Sequence, residues 1–215
     1  MLRLYSYWRS SSAYRVRIAL NLKGLKHEIV PVHLLRDGGE QHRPEHLARN
    51  PQGLVPVLEH DDRRFIQSLA IVEYLDELEP LPPLLPATPP GRARVRALAQ
   101  LIAGEIQPLN NLRVLMYLKH ELGADQAARD TWYRHWLATG FAALEALLSG
   151  DGATGRFCHG DAPGLADVCL LPQVYNAERY ACDLRAYPVI CRIAAACREL
   201  DAFERAAPER QPDAA

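Results

Sequence analysis

Three consecutive serines, Ser10-Ser11-Ser12, stand where the alternating residues 2–6 give way to a helical pattern beginning at Tyr14. A strand that feeds a helix leaves the first N–H groups of the helix unpaired and its positive dipole end open, so hydroxyls placed there favour an anion. The chemistry on offer is stabilisation of a thiolate. The same residues also allow a plainer role, in which Ser11 or Ser12 only caps the helix. Val55-Pro56 precedes the apolar pair Val57-Leu58, where a proline without an N–H belongs at a strand edge or in a cis bond. A cis bond would open the backbone groups of Val55 to a peptide-like ligand, whereas the commoner trans bond makes this an ordinary loop proline. Gln67-Ser68 opens a second helix, where an amide and a hydroxyl suit a ligand carboxylate or simply serve as a cap.

Other reactive side chains carry less. The five cysteines, Cys158, Cys169, Cys182, Cys191 and Cys197, have no C-x-x-C spacing and no paired histidines nearby, so neither a zinc site nor a disulfide framework is expected. Cys169, within Val-Cys-Leu-Leu, reads as a small core residue. Among the histidines only His42 and His46 are four apart, on a weak helix expected to be exposed, and no metal is expected there.

The elements that must position these residues follow from periodicity. Residues 2–6 read as a strand. Tyr14–Lys23 sets Val16, Ala19, Leu20 and Leu22 against Arg15, Arg17 and Lys23, an amphipathic helix stopped by Gly24. Residues 28–34 read as a second strand, and 41–48 as a weak helix ending before Asn50-Pro51. Val55–Leu58 and Arg64–Ile66 flank the turn His60-Asp61-Asp62 as a hairpin, and Ser68–Leu78 is a helix expected to be capped by its own serine hydroxyl. This β-α-β-α-β-β-α order closes an α/β first domain over residues 1–79. Pro80, Pro82, Pro83, Pro86, Pro89 and Pro90 then mark a linker over 80–91. Beyond it Arg92–His120, Asp125–Ser149, Ala166–Tyr180 and Pro188–Phe203 carry apolar residues at helical spacing, which predicts an all-α domain over 92–215.

Two domains also suit 215 residues of which 48% are hydrophobic and 24% charged. The net charge of −1, with Lys and Arg scattered, gives no basic face for nucleic acid. No apolar run spans a bilayer and the N-terminus lacks a signal core, so a cytoplasmic protein acting on a small molecule is expected.

The segment from Tyr5 to Leu20, Tyr-Ser-Tyr-Trp-Arg-Ser-Ser-Ser-Ala-Tyr-Arg-Val-Arg-Ile-Ala-Leu, resembles the zeta-class glutathione transferase signature Ser-Ser-Cys-x-Trp-Arg-Val-Arg-Ile-Ala-Leu. The resemblance covers essentially the whole chain. It continues through Asn50–Pro56, Gln67–Ile71, Ile106–Leu112 and Pro172–Arg179, where it is to maleylacetoacetate isomerases. Ser12 replaces the usual cysteine, Tyr14 the usual tryptophan, and Gly164 a common Thr or Ser cap before Asp167. A glycine cap costs only a few tenths of a kcal/mol relative to those residues, and Asp167 itself reads as a structural N3 residue.

The resemblance implies a thioredoxin-like glutathione-binding domain followed by an all-helical substrate domain, the glutathione transferase fold. It implies glutathione as cofactor, a dicarboxylate substrate, a homodimer, and no membrane or nucleic-acid partner. The implied activity is cis–trans isomerisation of maleylacetoacetate to fumarylacetoacetate in tyrosine and phenylalanine catabolism. Ser10, Arg9 and Arg179 are the implied catalytic residues, with the two arginines gripping carboxylates. The implied glutathione-binding set is Ser10, Ser11, Ser12, Ala13, Tyr14, Arg15, Gln41, Val55, Gln67 and Ser68, with Gln107, Asn111, Leu112 and Arg113 from the second domain. Alternatives are a maleylpyruvate isomerase, which by the same resemblance would carry a histidine near 107 and an arginine near 112, a broader transferase or α-halo acid dehalogenase, and a non-catalytic binding module.

Overall fold

The computed structural model describes residues 1–214. Two compact units divide the chain: Met1–Leu84 together with the chain from Arg198 onward, and Leu85–Cys197. The first unit therefore runs past the expected boundary at residue 79 and takes back the C-terminal end that helical periodicity alone assigns to the all-α domain. Periodicity reports that a face is apolar, not which partner covers it.

In the first unit β1 (Leu2–Ser6), α1 (Ser11–Leu22), β2 (His27–Pro31), α2 (Pro44–Leu47), β3 (Val57–His60), β4 (Arg63–Ile66) and α3 (Ser68–Leu78) follow in that order. The sheet order is β2-β1-β3-β4, with β1 and β2 parallel and the other pairs antiparallel. Register decides what this sheet positions. Ser6 is opposite Pro31, Tyr5 opposite Val57, and Val57 opposite Ile66. The residues that follow β1, precede β3 and follow β4 therefore all emerge at one end of the sheet, which gathers Trp8–Ser10, Val55 and Gln67-Ser68.

The weak helix expected over 41–48 is instead a 3-10 turn, Glu40–His42, followed by the single turn of α2. Most of it is exposed, as expected, His42 included, but Gln41 and His46 are buried. The helix α1 begins three residues before Tyr14 and is not amphipathic in the simple sense. Arg15, Arg17 and Lys23, its expected polar face, are 1%, 1% and 6% exposed. Lys23 Nζ reaches Asp76 Oδ1 at 2.6 Å, and that carboxylate oxygen also accepts from Leu84 N–H at 2.8 Å. The cation thus ties the proline-rich stretch to α1 and α3. The C-terminal α9 (Asp201–Glu204), with Phe203 fully buried, belongs to this unit, where Asn21 Nδ2 donates to Ala202 O at 2.9 Å.

The second unit holds α4 (Pro89–Gln100), a π-helical turn (Leu101–Ile106), α5 (Leu112–His120), α6 (Gln126–Ser149), α7 (Leu165–Arg179) and most of α8 (Pro188–Arg198). Pro89 and Pro90 do not break a helix. They open α4 behind the Thr88 cap, where a missing N–H costs nothing. Likewise the long helix expected over Arg92–His120 is interrupted at residues 107–111. Trp132 Nε1 donates to Leu109 O at 2.8 Å and Asn110 Nδ2 to Tyr133 O at 3.3 Å, fixing that break to α6. Asp167, at N3 of α7, accepts from Gly164 N–H at 2.9 Å and Cys158 N–H at 2.8 Å. Gly164 is the cap, as the sequence predicts, and Asp167 is structural. Cys169 is fully buried, and none of the five cysteines is in a disulfide.

Candidate active site

Ser10 is the N-cap of α1, in place of Ser11 or Ser12. Its φ of −70° and ψ of 114° are extended, and its Oγ accepts from Ala13 N–H at 3.2 Å. A hydroxyl that accepts in this way still has its proton to donate. Ser11 is buried and Ser12 half-buried as the first residues of the helix, and their N–H groups belong to the set that helix geometry leaves without an intrahelical partner. Ala13 and Tyr14 are buried, so they present no side chain at this end, and the Tyr14 ring lies against Arg17, 5.2 Å from its guanidinium carbon. Arg9 is half-buried, with its guanidinium 4.6 Å over the Trp8 ring and Nη2 donating to Tyr7 Oη at 3.3 Å.

Val55-Pro56 is cis, and the β3 ladder starts only at Val57, so Val55 lies outside the sheet register. Two buried side chains grip the carbonyl just before it. His46 Nε2 lies 3.0 Å from Leu54 O, and Asn50 Nδ2 donates to it at 2.9 Å. Neither role is signalled by residue type or spacing, since His46 reads only as one of an exposed histidine pair and Asn50-Pro51 as a helix end.

Ser68 does not cap α3. The N-cap is Gln67, at a φ of 69° that non-glycine residues rarely adopt, and its side chain makes no capping bond. That side chain turns instead to Gln52, with Nε2 donating to Oε1 at 2.8 Å. Ser68, the first helical residue, accepts from Arg15 Nη1 at 3.2 Å. The result is a helix end with no side-chain cap, a hydroxyl, and a buried cation behind it, which is what a ligand carboxylate requires. Gln41 is buried, donates to Leu34 O at 3.3 Å, and leaves Oε1 buried without a hydrogen-bond partner. A peptide-like ligand bearing a carboxylate fits these features: a capped helix end, an uncapped one, an edge residue outside the ladder and a buried amide oxygen.

In the second unit, Gln107 closes the π-helical turn and Asn111 caps α5, accepting from Arg113 N–H at 3.1 Å. Neither lies within a long helix. Leu112 is half-buried and Arg113 exposed. Arg179, the last residue of α7, is exposed, with its guanidinium 5.0 Å over the Tyr180 ring. The Tyr133 phenol is pushed up by burial, and the charge and hydrogen bond of Arg179 pull it the other way.

Fold and site together define a glutathione transferase: a thioredoxin-like unit with a serine at a helix end, and a helical unit. Residues 4–83 match the family model "Glutathione S-transferase, N-terminal domain". A probable maleylacetoacetate isomerase from Vibrio cholerae is 53% identical over 98% of this chain and 97% of its own length. A solved holo maleylpyruvate isomerase, described as a bacterial glutathione S-transferase of the zeta class, superposes with a TM-score of 0.96 at 50% identity, covering 99% of this chain and 100% of its own. A maleylacetoacetate isomerase from Methylobacterium extorquens AM1, solved with bound malonate and GSH, gives a TM-score of 0.95 at 44% identity over 99% of both chains. The chain belongs to the zeta class of the glutathione S-transferase family.

Proposed function

We propose that this protein is a glutathione-dependent cis–trans isomerase that converts maleylacetoacetate to fumarylacetoacetate, in the catabolism of tyrosine and phenylalanine. The observation that carries the proposal is Ser10 at the N-cap of α1, at the sheet end where Val55 and Gln67-Ser68 also emerge. Glutathione, when bound, supplies a sulfur nucleophile whose reversible addition to the cis double bond leaves a single bond free to turn.

The residues of the chain do the rest. Ser10 donates its hydroxyl proton toward the sulfur, and the N-terminal end of α1 favours thiolate over thiol. Backbone groups of Ser11 to Tyr14 and of Val55, with the side chains of Gln41, Gln67 and Ser68, hold the tripeptide. Arg15 adds a buried positive charge behind Ser68. Arg9 and Arg179 are assigned to the two carboxylates of the substrate, because a guanidinium fork grips a carboxylate through two parallel bonds. Gln107, Asn111, Leu112 and Arg113 are the second unit's share of the binding set. After the family resemblance, the enzyme works in the cytoplasm as a homodimer, which sedimentation of the purified protein tests.

The similarity to a maleylpyruvate isomerase favours one second reading, the same chemistry on that shorter diacid. Gln107 and Leu112, in place of a histidine and an arginine, support maleylacetoacetate. Turnover of both diacids, with and without glutathione, in wild type and Ser10→Ala decides between them. Glutathione-dependent preference for maleylacetoacetate that is lost in the variant is expected. Preference for maleylpyruvate reassigns the substrate, and turnover of neither sinks the isomerase proposal.

A further inference from the structure

Within the first unit Asp213 lies against the turn that carries Ser10. Asp213 Oδ2 accepts from Trp8 N–H at 3.0 Å, and Arg17 Nη2 donates to Trp8 O at 2.9 Å, so both backbone polar groups of Trp8 are held by side chains. The same guanidinium donates through Nη1 to Ser6 Oγ at 3.0 Å and Tyr7 O at 3.4 Å, and through Nε to Ala206 O at 3.0 Å. Ser10 N–H in turn donates to Tyr7 O at 2.9 Å. The C-terminal side of this joint is itself fixed, because Gln211 Nε2 donates to Arg205 O at 3.1 Å and Ala207 O at 2.9 Å. Trp8 and Arg9 lie in neither strand nor helix, so no ladder sets their conformation. What sets it is a side chain of α1 on one side and the C-terminal segment on the other.

We propose that the C-terminal segment is a strap that sets the position of Ser10, with Asp213 and Arg17 as positioning residues for activation of the glutathione thiol. The inference rests on Ser10 being the thiol-activating serine. The acceptor, not the charge, is what Asp213 contributes. An anion so close to the turn opposes a thiolate, and its second oxygen, Oδ1, is buried with no hydrogen-bond partner. A carboxylate placed that way adds little to global stability, so its loss should act on the turn rather than on the fold.

The test compares wild type, Asp213→Ala and Asp213→Asn in the full chain. Five quantities are measured: amide hydrogen exchange over Tyr7–Ser10, the pKa of bound glutathione from thiolate ultraviolet absorbance, kcat and KM for the diacid, and the melting temperature. In Asp213→Ala, exchange at Trp8 should rise about tenfold with little change in melting temperature. The bound thiol should shift up by about one pH unit, with kcat down by up to about tenfold and KM for the diacid unchanged. Asp213→Asn, which keeps an acceptor and removes the opposing charge, should keep wild-type exchange at Trp8, with a bound-thiol pKa no higher than wild type and kcat no lower. Unchanged exchange and thiol pKa in Asp213→Ala overturn the proposal, as does a lower melting temperature without a thiol shift. Equal defects in both variants also overturn it, because they show that an acceptor at position 213 is not what holds the turn. If wild-type protein fails to lower the thiol pKa, the isomerase reading fails instead, and the exchange comparison still decides whether the strap holds the turn.

Discussion

Arg15 Nη1 donates to Ser68 Oγ at 3.2 Å, joining the middle of α1 to the first turn of α3 inside the core of the first unit. This bond couples the helix capped by Ser10, the proposed activating serine, to the helix end fitted for a carboxylate. Arg15 is 1% exposed, so truncation leaves both a cavity and a hydroxyl without its donor. Arg15→Ala should lower stability by about 3 kcal/mol, read from urea unfolding. Arg15→Lys keeps the charge but not the planar fork. It should lose less stability and still weaken glutathione binding about tenfold by titration calorimetry, or about 1.4 kcal/mol. Unchanged affinity in Arg15→Lys would show that the fork contributes nothing to the site.

Ser10 serves two roles that a pair of variants can separate. Its Oγ caps α1 by accepting from Ala13 N–H, a bond worth about 1 kcal/mol. Glycine caps nearly as well as serine, at a cost of about a few tenths of a kcal/mol, and has no side-chain donor. Ser10→Gly should therefore nearly keep the wild-type unfolding midpoint while losing about a hundredfold in kcat, the loss typical of removing one donor from a developing anion. Ser10→Ala should lose both. A Ser10→Gly enzyme with near wild-type kcat would reduce Ser10 to a helix cap.

Much of this was legible in the sequence, and the failures share one cause. The turn after β1, the hairpin, Asp167 at its N3 place, and the helices α6 and α7 all declare themselves through local spacing or capping chemistry, whereas Gly164 as the cap comes from the family resemblance. What local pattern misreads is a polar group whose partner is distant in sequence. Arg15, Arg17 and Lys23 look like a solvated face, yet they are buried on Ser68, Ala206 and Asp76. Ser68 looks like a cap because nothing nearby announces Arg15. His46 reads as a surface residue because its partner, Leu54 O, is set by the path of the loop. Pro188–Phe203 reads as one helix in one domain, although the chain changes units near Arg198.

Burial also fixes which thiols are available for chemistry. The Cys158 thiol is fully buried and pushed well above its ordinary range, first by desolvation and then by the nearby Asp167 carboxylate. Cys182 is half-buried and raised by desolvation to a lesser degree. Reactivity follows the thiolate fraction and access, so neutral iodoacetamide should modify Cys182 before Cys158 in the folded protein. Mass spectrometry of partially alkylated protein reads the order. Early labelling of Cys158 would mean that the loop ahead of α7 opens readily.

Tyr133 should govern stability in alkali. Its ring is 2% exposed and stacks on Tyr180 at a centroid distance of 3.6 Å, and burial raises the phenol above its ordinary value. In the unfolded chain a tyrosine titrates near about 10. Below that pH both states hold the proton and this group makes stability independent of pH. Above it the unfolded chain gives up the proton while the folded chain keeps it, so the unfolded state binds fewer protons and stability falls as pH rises. Between about pH 9 and pH 11 this one group should cost about 1.4 kcal/mol. Tyr133→Phe removes the titration along with the hydrogen bond to Arg179, so its urea midpoint should fall less steeply in alkali than that of wild type. Identical alkaline slopes for the two proteins would mean that the phenol ionises as easily in the fold as outside it, and that burial in the second unit does not hold its proton.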